Sequence, residues 1–274
     1  MKVKLRSSSN NFQDIPIEII CQKTRDLGFN ATEVLRFQLM QCKTPELVKQ
    51  FAQIATEKYG LEICALNNID FQIFEPFGSR SKFDATLRNL KEAVDIAENL
   101  GTRTISVLEG RRPKGVRKDS ALLERLVALF GEALDYAKPK GIGFITEPHP
   151  FTVGMDLAFL AGLCDSLPSG YFGVLYDCCH FGVGKPTDYV GAIHTLGNRI
   201  KHIHFADCDL RTTALHYPPG MGKLKMDEII AAFKKINYNG TITLDLYGYP
   251  MPEEGSKIGL VSLKEAQDKL GITN

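Results

Sequence analysis

The sequence lacks the features that mark a membrane protein, a secreted disulfide scaffold or a nucleic-acid binder. No apolar run approaches the roughly 18 residues that cross a bilayer, and Met1 to Asn10 holds no apolar signal core. Net charge is +1 over 274 residues, so no global field draws nucleic acid or an acidic partner. The seven cysteines are an odd number, and no two stand as Cys-x-x-Cys. In a chain this long that composition predicts free thiols in a reducing, cytoplasmic setting. No Gly-x-Gly-x-x-Gly turn follows the first expected strand, which argues against a dinucleotide-binding open sheet. There is no low-complexity tract and no linker, so residues 1–274 are read as a single domain.

What is present is alternation. Strand-like segments are expected at Val3–Arg6, Ala31–Arg36, Leu61–Leu66, Thr104–Leu108, Ile142–Glu147, Tyr171–Asp177, Arg199–Ala206 and Thr241–Asp245. Helices are expected between them, from Ile15–Gly28 to a closing helix at Leu260–Leu270. Their ends carry the usual signals. Thr44 and Pro45 open the second helix, and Gly28 and Gly101 stop the first and third. Repeats of roughly 34 residues match one βα unit. Eight in a row predict an α/β fold of the (β/α)8 TIM-barrel type. The polar, glycine-bearing loop from Asn67 to Ser79 is a candidate substrate lid.

In such a barrel the chemistry sits at the C-terminal ends of the strands. Four consecutive strands end here on Glu147, Asp177, His204 and Asp245. Strand parity turns them inward. In Thr241–Asp245 the apolar Ile242 and Leu244 alternate with Thr241, Thr243 and Asp245. In Lys201–Phe205 both His202 and His204 share the interior face. A single strand-end acid is usually a cap or an ion-pair partner. Four metal-capable side chains on successive strands, all facing in, point to a divalent metal site. Three carboxylates and an imidazole suit Mn²⁺ first, with Co²⁺, Mg²⁺ or Zn²⁺ as alternatives. His202 would orient the site from behind. His149, just past Glu147, is a candidate second base or substrate contact. Arg211 and Asp207, in the loop after the seventh strand, are candidate substrate contacts, with Asp207 holding Arg211 or His180. The basic loop Arg111–Lys118 is read as a solvated loop. Cys178 and Cys179 are read as packing residues.

Several pieces resemble the xylose isomerase-like barrels, the superfamily of sugar epimerases, inosose dehydratase and apurinic-site endonucleases. They are Glu147-Pro148-His149, Asp177-Cys178-Cys179-His180, His202-Ile203-His204-Phe205-Ala206-Asp207, Pro219-Gly220-Met221-Gly222 and Thr243-Leu244-Asp245-Leu246. The resemblance implies metal binding by Glu147, Asp177, His204 and Asp245, and substrate contact by His180. It implies a metal-dependent sugar isomerase or epimerase that works through an enediolate, with Glu147 and Asp245 as the proton-transfer pair. Its small-molecule carbohydrate substrate would be a ketose or related keto-polyol. The alternative is a lyase on the same scaffold, an inosose-type dehydratase or a 3-keto-C-glycoside deglycosidase subunit. A homo-oligomer or a partner subunit is compatible with either. A non-catalytic carbohydrate-binding barrel and an apurinic-site endonuclease rank lower. The endonuclease's three-metal site needs an acid where Ala214 stands and histidines near Asn67 and Glu109, although His216 would match one of its ligands. The last acid is also shorter than the glutamate usual in the epimerases.

Overall fold

In a computed structural model of the chain, the described residues are 6–7, 16–40, 42–70, 74–115 and 119–271. Short runs of β-branched and aromatic residues form the strands, as that chemistry favours. They are β1 (Arg6–Ser7), β2 (Ala31–Leu35), β3 (Glu62–Asn67), β4 (Thr104–Val107), β5 (Gly143–Thr146), β6 (Phe172–Asp177), β7 (Ile200–Phe205) and β8 (Thr241–Leu244). Each pairs in parallel with the next, and β1 pairs with β8, so the sheet closes into a barrel. The α/β barrel expected from the alternation is therefore the fold. Of the first expected strand, Val3 to Leu5 lie outside the described residues, as do Ile15 of the first helix and Val116 to Lys118 of the basic loop.

The helices form the outer layer: α1 (Ile17–Asp26), α2 (Pro45–Gln53), α3 (Arg80–Leu100), α4 (Asp119–Ala137), α5 (Leu157–Asp165), α6 (Cys178–Gly184), α7 (Tyr189–Leu196), α8 (Met226–Lys235) and α9 (Pro252–Leu270). Among the described residues none is long and apolar enough to cross a membrane. Thr44 caps α2 by accepting from the Leu47 N–H, with Pro45 in the first turn. Ser79 caps α3, and Gly101 ends it in the left-handed region at φ 73°. The core between strands and helices includes Phe130, buried against Phe172 with ring centroids 4.9 Å apart.

Two helices differ from the sequence expectation. The final helix begins at Pro252, well before Leu260. Gly255 and Gly259 lie inside it. A Cβ at Gly259 would stand 2.5 Å from Leu244 Cδ1, so glycine is what lets α9 lie close on β8. The second difference is α6, which was not expected. It starts directly after β6 because the Asp177 side chain accepts from the His180 N–H at 2.7 Å and caps it.

The β7–β8 connection is ordered around Asp207. Its buried carboxylate accepts four backbone N–H groups: Cys208 at 2.8 Å, Leu224 at 2.9 Å, Gly220 at 3.1 Å and Gly222 at 2.8 Å. This corrects the expectation of a substrate contact, and its hydrogen bonds reach neither His180 nor Arg211. It also explains the Pro-Gly-Met-Gly run. Gly220 has φ 90°, and a Cβ at Gly222 would come within 2.3 Å of Asp207 Oδ1. Asp207 and Tyr217 exchange backbone hydrogen bonds at 2.9 and 2.8 Å. That bridge fixes His216, whose N–H donates to the Tyr247 carbonyl at 2.9 Å.

Asp207→Ala strips four amides of their shared acceptor. It is expected to cost roughly 3 kcal/mol or more in urea unfolding and to open the segment between Asp207 and Leu224 to proteolysis. An unchanged midpoint would show that the loop is held by other contacts.

Candidate metal centre and active site

The barrel register sets the site. Asp177 on β6 is level with His204 on β7, and His204 with Thr243 on β8. Glu147 follows β5 directly and Asp245 follows β8. Their acid groups meet at His204 Nδ1, with Glu147 Oε1 at 2.9 Å, Asp245 Oδ2 at 3.3 Å and Asp177 Oδ2 at 3.5 Å. All four residues are buried. Candidate ligand atoms of Glu147, Asp177 and His204 lie within 4.8 Å of one another.

Asp177 divides its carboxylate. Oδ1 caps α6, while Oδ2 has no hydrogen-bond partner and faces the cluster. A buried carboxylate oxygen in that condition is costly unless a cation meets it. The set of carboxylates and one imidazole fits a hard or borderline divalent ion, while the Cys179 thiol lies within 4.8 Å of candidate ligand atoms of Asp177 and His216 in an adjoining group. Cys178 is fully buried and its thiol is pushed up by burial, which suits packing.

Behind His204 stands Glu33, which the sequence reading did not single out. Its Oε2 is 3.1 Å from His204 Nε2, and its Oε1 is 2.6 Å from His202 Nε2. His202 Nε2 also lies 2.8 Å from Thr243 Oγ1. Glu33 thus fixes both rings, and it directs Nδ1 of His204 toward the three acids. A carboxylate in that position raises the basicity of a ligating imidazole. Burial alone would raise the Glu33 pKa, but His204 and His202 hold it well below the carboxylate range. Burial alone would lower His204, yet Glu33 and Glu147 hold it well above its ordinary value. The signal for Glu33 was in the sequence, as the one ionisable residue of the run Ala31–Leu35.

Three further imidazoles wall the site. The His149 and His180 rings are 3.7 Å apart, and those of His180 and His216 are 5.2 Å apart. His180 Nε2 is 3.9 Å from Glu147 Oε1. His216 Nδ1 is 3.8 Å from both Asp177 Oδ2 and Asp245 Oδ2. Neither ring nitrogen of His216, nor Nδ1 of His180, has a hydrogen-bond partner. Burial pushes His180 down to about 4, against the pull of Asp177. Burial and the neighbouring His180 hold His149 well below its usual value. Both rings are therefore neutral near pH 7. Burial outweighs the attraction of His204 and, with a smaller contribution from the repulsion of Asp177 and Asp245, lifts Glu147 to about 7. Burial also raises Asp245.

These side chains line the inner end of a cavity of about 750 Å³, together with Phe151 and Tyr247. Asn67, Asn68, Ile69 and Asp70 of the expected lid line it too, and residues 71–73 of that loop lie outside the described residues. Arg211 does not line it. That side chain is exposed, and its backbone N–H is tied to Asp209 at 2.8 Å. In the basic loop, Arg111 stacks over Phe151 at 4.6 Å and Arg112 pairs with Asp119.

Metal ligands must be deprotonated to bind. His204 and Glu147 both hold protons more tightly than usual, so metal uptake is expected to release protons. Affinity for Mn²⁺ should then rise with pH between about 5 and 8. Calorimetric titration in buffers of different ionisation enthalpy reads this directly. Uptake with no proton release would remove His204 from the ligand set.

The geometry agrees with comparisons to known proteins. Fructoselysine 3-epimerase from Shigella flexneri is 22% identical over 255 residues, covering 88% of this chain and 89% of that protein. The structure of D-psicose 3-epimerase from Clostridium cellulolyticum H10 with D-tagatose superposes with a TM-score of 0.78 at 14% identity, covering 97% and 99% of the two chains. The IolI protein, whose structure holds a zinc atom, superposes with a TM-score of 0.79 at 14% identity over 98% of each chain. Residues 21–266 match a family described as xylose isomerase-like TIM barrel. That match takes in the seven parallel strands β2 to β8 and all four carboxylates around His204, and by it this chain belongs to the xylose isomerase-like TIM barrel family.

Proposed function

We propose that the chain is a divalent-metal-dependent sugar isomerase or epimerase acting on a ketose or a related keto-polyol. The observation that carries this reading is the pair Glu147 and Asp245. They come from strands three apart in the barrel and approach one point, with their oxygens 2.9 and 3.3 Å from the same His204 nitrogen. The kinship with sugar 3-epimerases supports the substrate class.

Glu147, Asp177, His204 and Asp245 would hold the ion, with Mn²⁺ the first candidate. When bound, it supplies Lewis-acid polarisation of the substrate carbonyl. The protein's own groups do the rest. One acid of the pair takes the proton from the carbon beside the carbonyl. The other, entering protonated, delivers its own proton to the opposite face and ends ionised, and the configuration inverts. The neutral His180 and His149, with His216, offer ring nitrogens to the substrate hydroxyls. Phe151 and Tyr247, adjoining His149 and His216 at 5.6 and 6.0 Å between rings, offer faces to its C–H groups.

One feature favours the lyase alternative. Asp245 is a methylene shorter than glutamate, so proton return from its side has less reach. If return fails, the same enediolate loses a β-substituent instead. The cysteines are all free, which supports a reducing, cytoplasmic setting.

The test is solvent exchange. The Mn²⁺-loaded protein is incubated in D₂O with ketoses, inosose and keto-glycosides. Deuterium beside the carbonyl with the carbon skeleton intact supports epimerisation, and release of water or an aglycone supports the lyase. Glu147→Gln and Asp245→Asn should each slow exchange by about 10²–10⁴. His204→Ala should lower metal content. No exchange with any of these substrates would count against the reading.

A further inference from the structure

The cavity is larger than its chemistry needs, and its two ends differ. The inner end is the histidine and carboxylate cluster. The outer end runs up the side of the barrel above β2. Its walls are Phe37, Leu39, Met40, Val48, Ile69 and Ile96. Phe37 and Leu39 belong to the 3-10 turn Arg36–Leu39 that continues β2, Val48 to α2 and Ile96 to α3. Leu39 and Val48 are buried, whereas Phe37 and Met40 are 49% and 75% exposed.

The polar residues of this end are engaged with one another. Arg36 donates to Asn68 Oδ1 at 2.9 Å, to the Asn89 carbonyl at 3.2 Å and to Glu92 at 2.8 Å. Asn68 Nδ2 donates to Asn89 Oδ1 at 2.9 Å. Asp70 stands exposed at the rim. Among the described residues the outer chamber therefore presents apolar surface and little free hydrogen-bonding capacity, the reverse of what a sugar hydroxyl seeks. Clefts of about 300–1,000 Å³ hold drug-sized ligands, and a free monosaccharide fills only part of 750 Å³.

We infer that the substrate is a keto-sugar carrying an apolar, ring-sized substituent, with the sugar at the Glu147–Asp245 end and the substituent among Phe37, Met40, Val48 and Ile96. The occupant is fixed by continuity. The chamber and the proton-transfer pair share one cavity, so what lies in the chamber is attached to what reacts. The exposed Phe37 and Met40 form the wall that the substituent covers when it binds. Burying an aryl group there releases apolar surface from water on both partners. This inference rests on the proposed reaction for the placement of the sugar, but the chamber's preference is measurable without turnover.

The experiment is calorimetric titration of the Mn²⁺-loaded full chain with phenyl β-D-glucopyranoside and with methyl β-D-glucopyranoside, neither of which has a carbonyl to react. The phenyl compound is expected to bind at least about tenfold more tightly. Phe37→Ala with Met40→Ala, at two exposed positions that leave the core intact, should abolish the difference. Equal affinity for the two glycosides overturns the inference. So does a phenyl preference that survives the double substitution. A phenyl preference that is present only in a self-associated form joined through Phe37 and Met40, and is lost when the association is broken, overturns it as well. A phenyl preference without any exchange leaves the chamber standing and removes the proposed reaction instead.

Discussion

Four carboxylates, Glu33, Glu147, Asp177 and Asp245, are taken out of water around one imidazole, His204. Everything else about the site depends on settling that charge. Buried carboxylates without partners are prohibitively costly, and the barrel answers with position. His202 and His204 sandwich Glu33 below, and the ring nitrogens of His180 and His216 face Glu147, Asp177 and Asp245 above. Among protein groups the counter-charge is the His204 imidazolium. A divalent ion at the same point would replace one proton with two charges and relieve the acids further. The stability of the barrel mouth and the affinity for metal are thus two expressions of one electrostatic constraint.

Much of this was legible in the sequence, because both the fold and the four central residues announce themselves by period. A βα repeat followed by inward-facing polar residues at strand ends needs no tertiary information to be seen. The acids and His204 meet where strand parity put them. What stayed hidden was set by contacts between distant segments. The helix α6 depends on an aspartate that also serves the site, and a cap looks the same as a ligand in one dimension. The early start of α9 depends on the nearness of Leu244 to Gly259. Asp207 sits in a motif beside functional residues, so its structural duty to four amides could not be told from a substrate contact. Glu33 was overlooked because attention went to strand ends, while it lies in mid-strand, one level below.

The cavity adds a division of labour. Its inner end holds the ionisable cluster beside Phe151 and Tyr247, and its outer end is largely apolar with Arg36, Asn68 and Asn89 paired off. The two ends draw on different βα units. The chemistry comes from the second half of the barrel, β5 to β8, and the apolar chamber from the first half, β2 to β3 with α2 and α3. Glu33 is the thread between them. It leaves β2 to reach the histidines of β7, and the turn that continues the same strand builds the chamber wall.

Asp177 carries a consequence for how such a barrel can change over generations. One oxygen holds the first turn of α6 and the other faces the metal centre. Asparagine would keep the cap and lose the charge. Glutamate would keep the charge, but its longer arm would give up the short reach that capping requires. Position 177 is therefore locked in length as well as in charge. Among the described residues no helix starts directly after Glu147 or Asp245 as α6 does after Asp177, so a change of length there breaks no such first turn. The shorter acid at 245 lies where the architecture leaves such a change open, and a lineage altering its reaction would find its freedom there, on the far side of the cluster from α6.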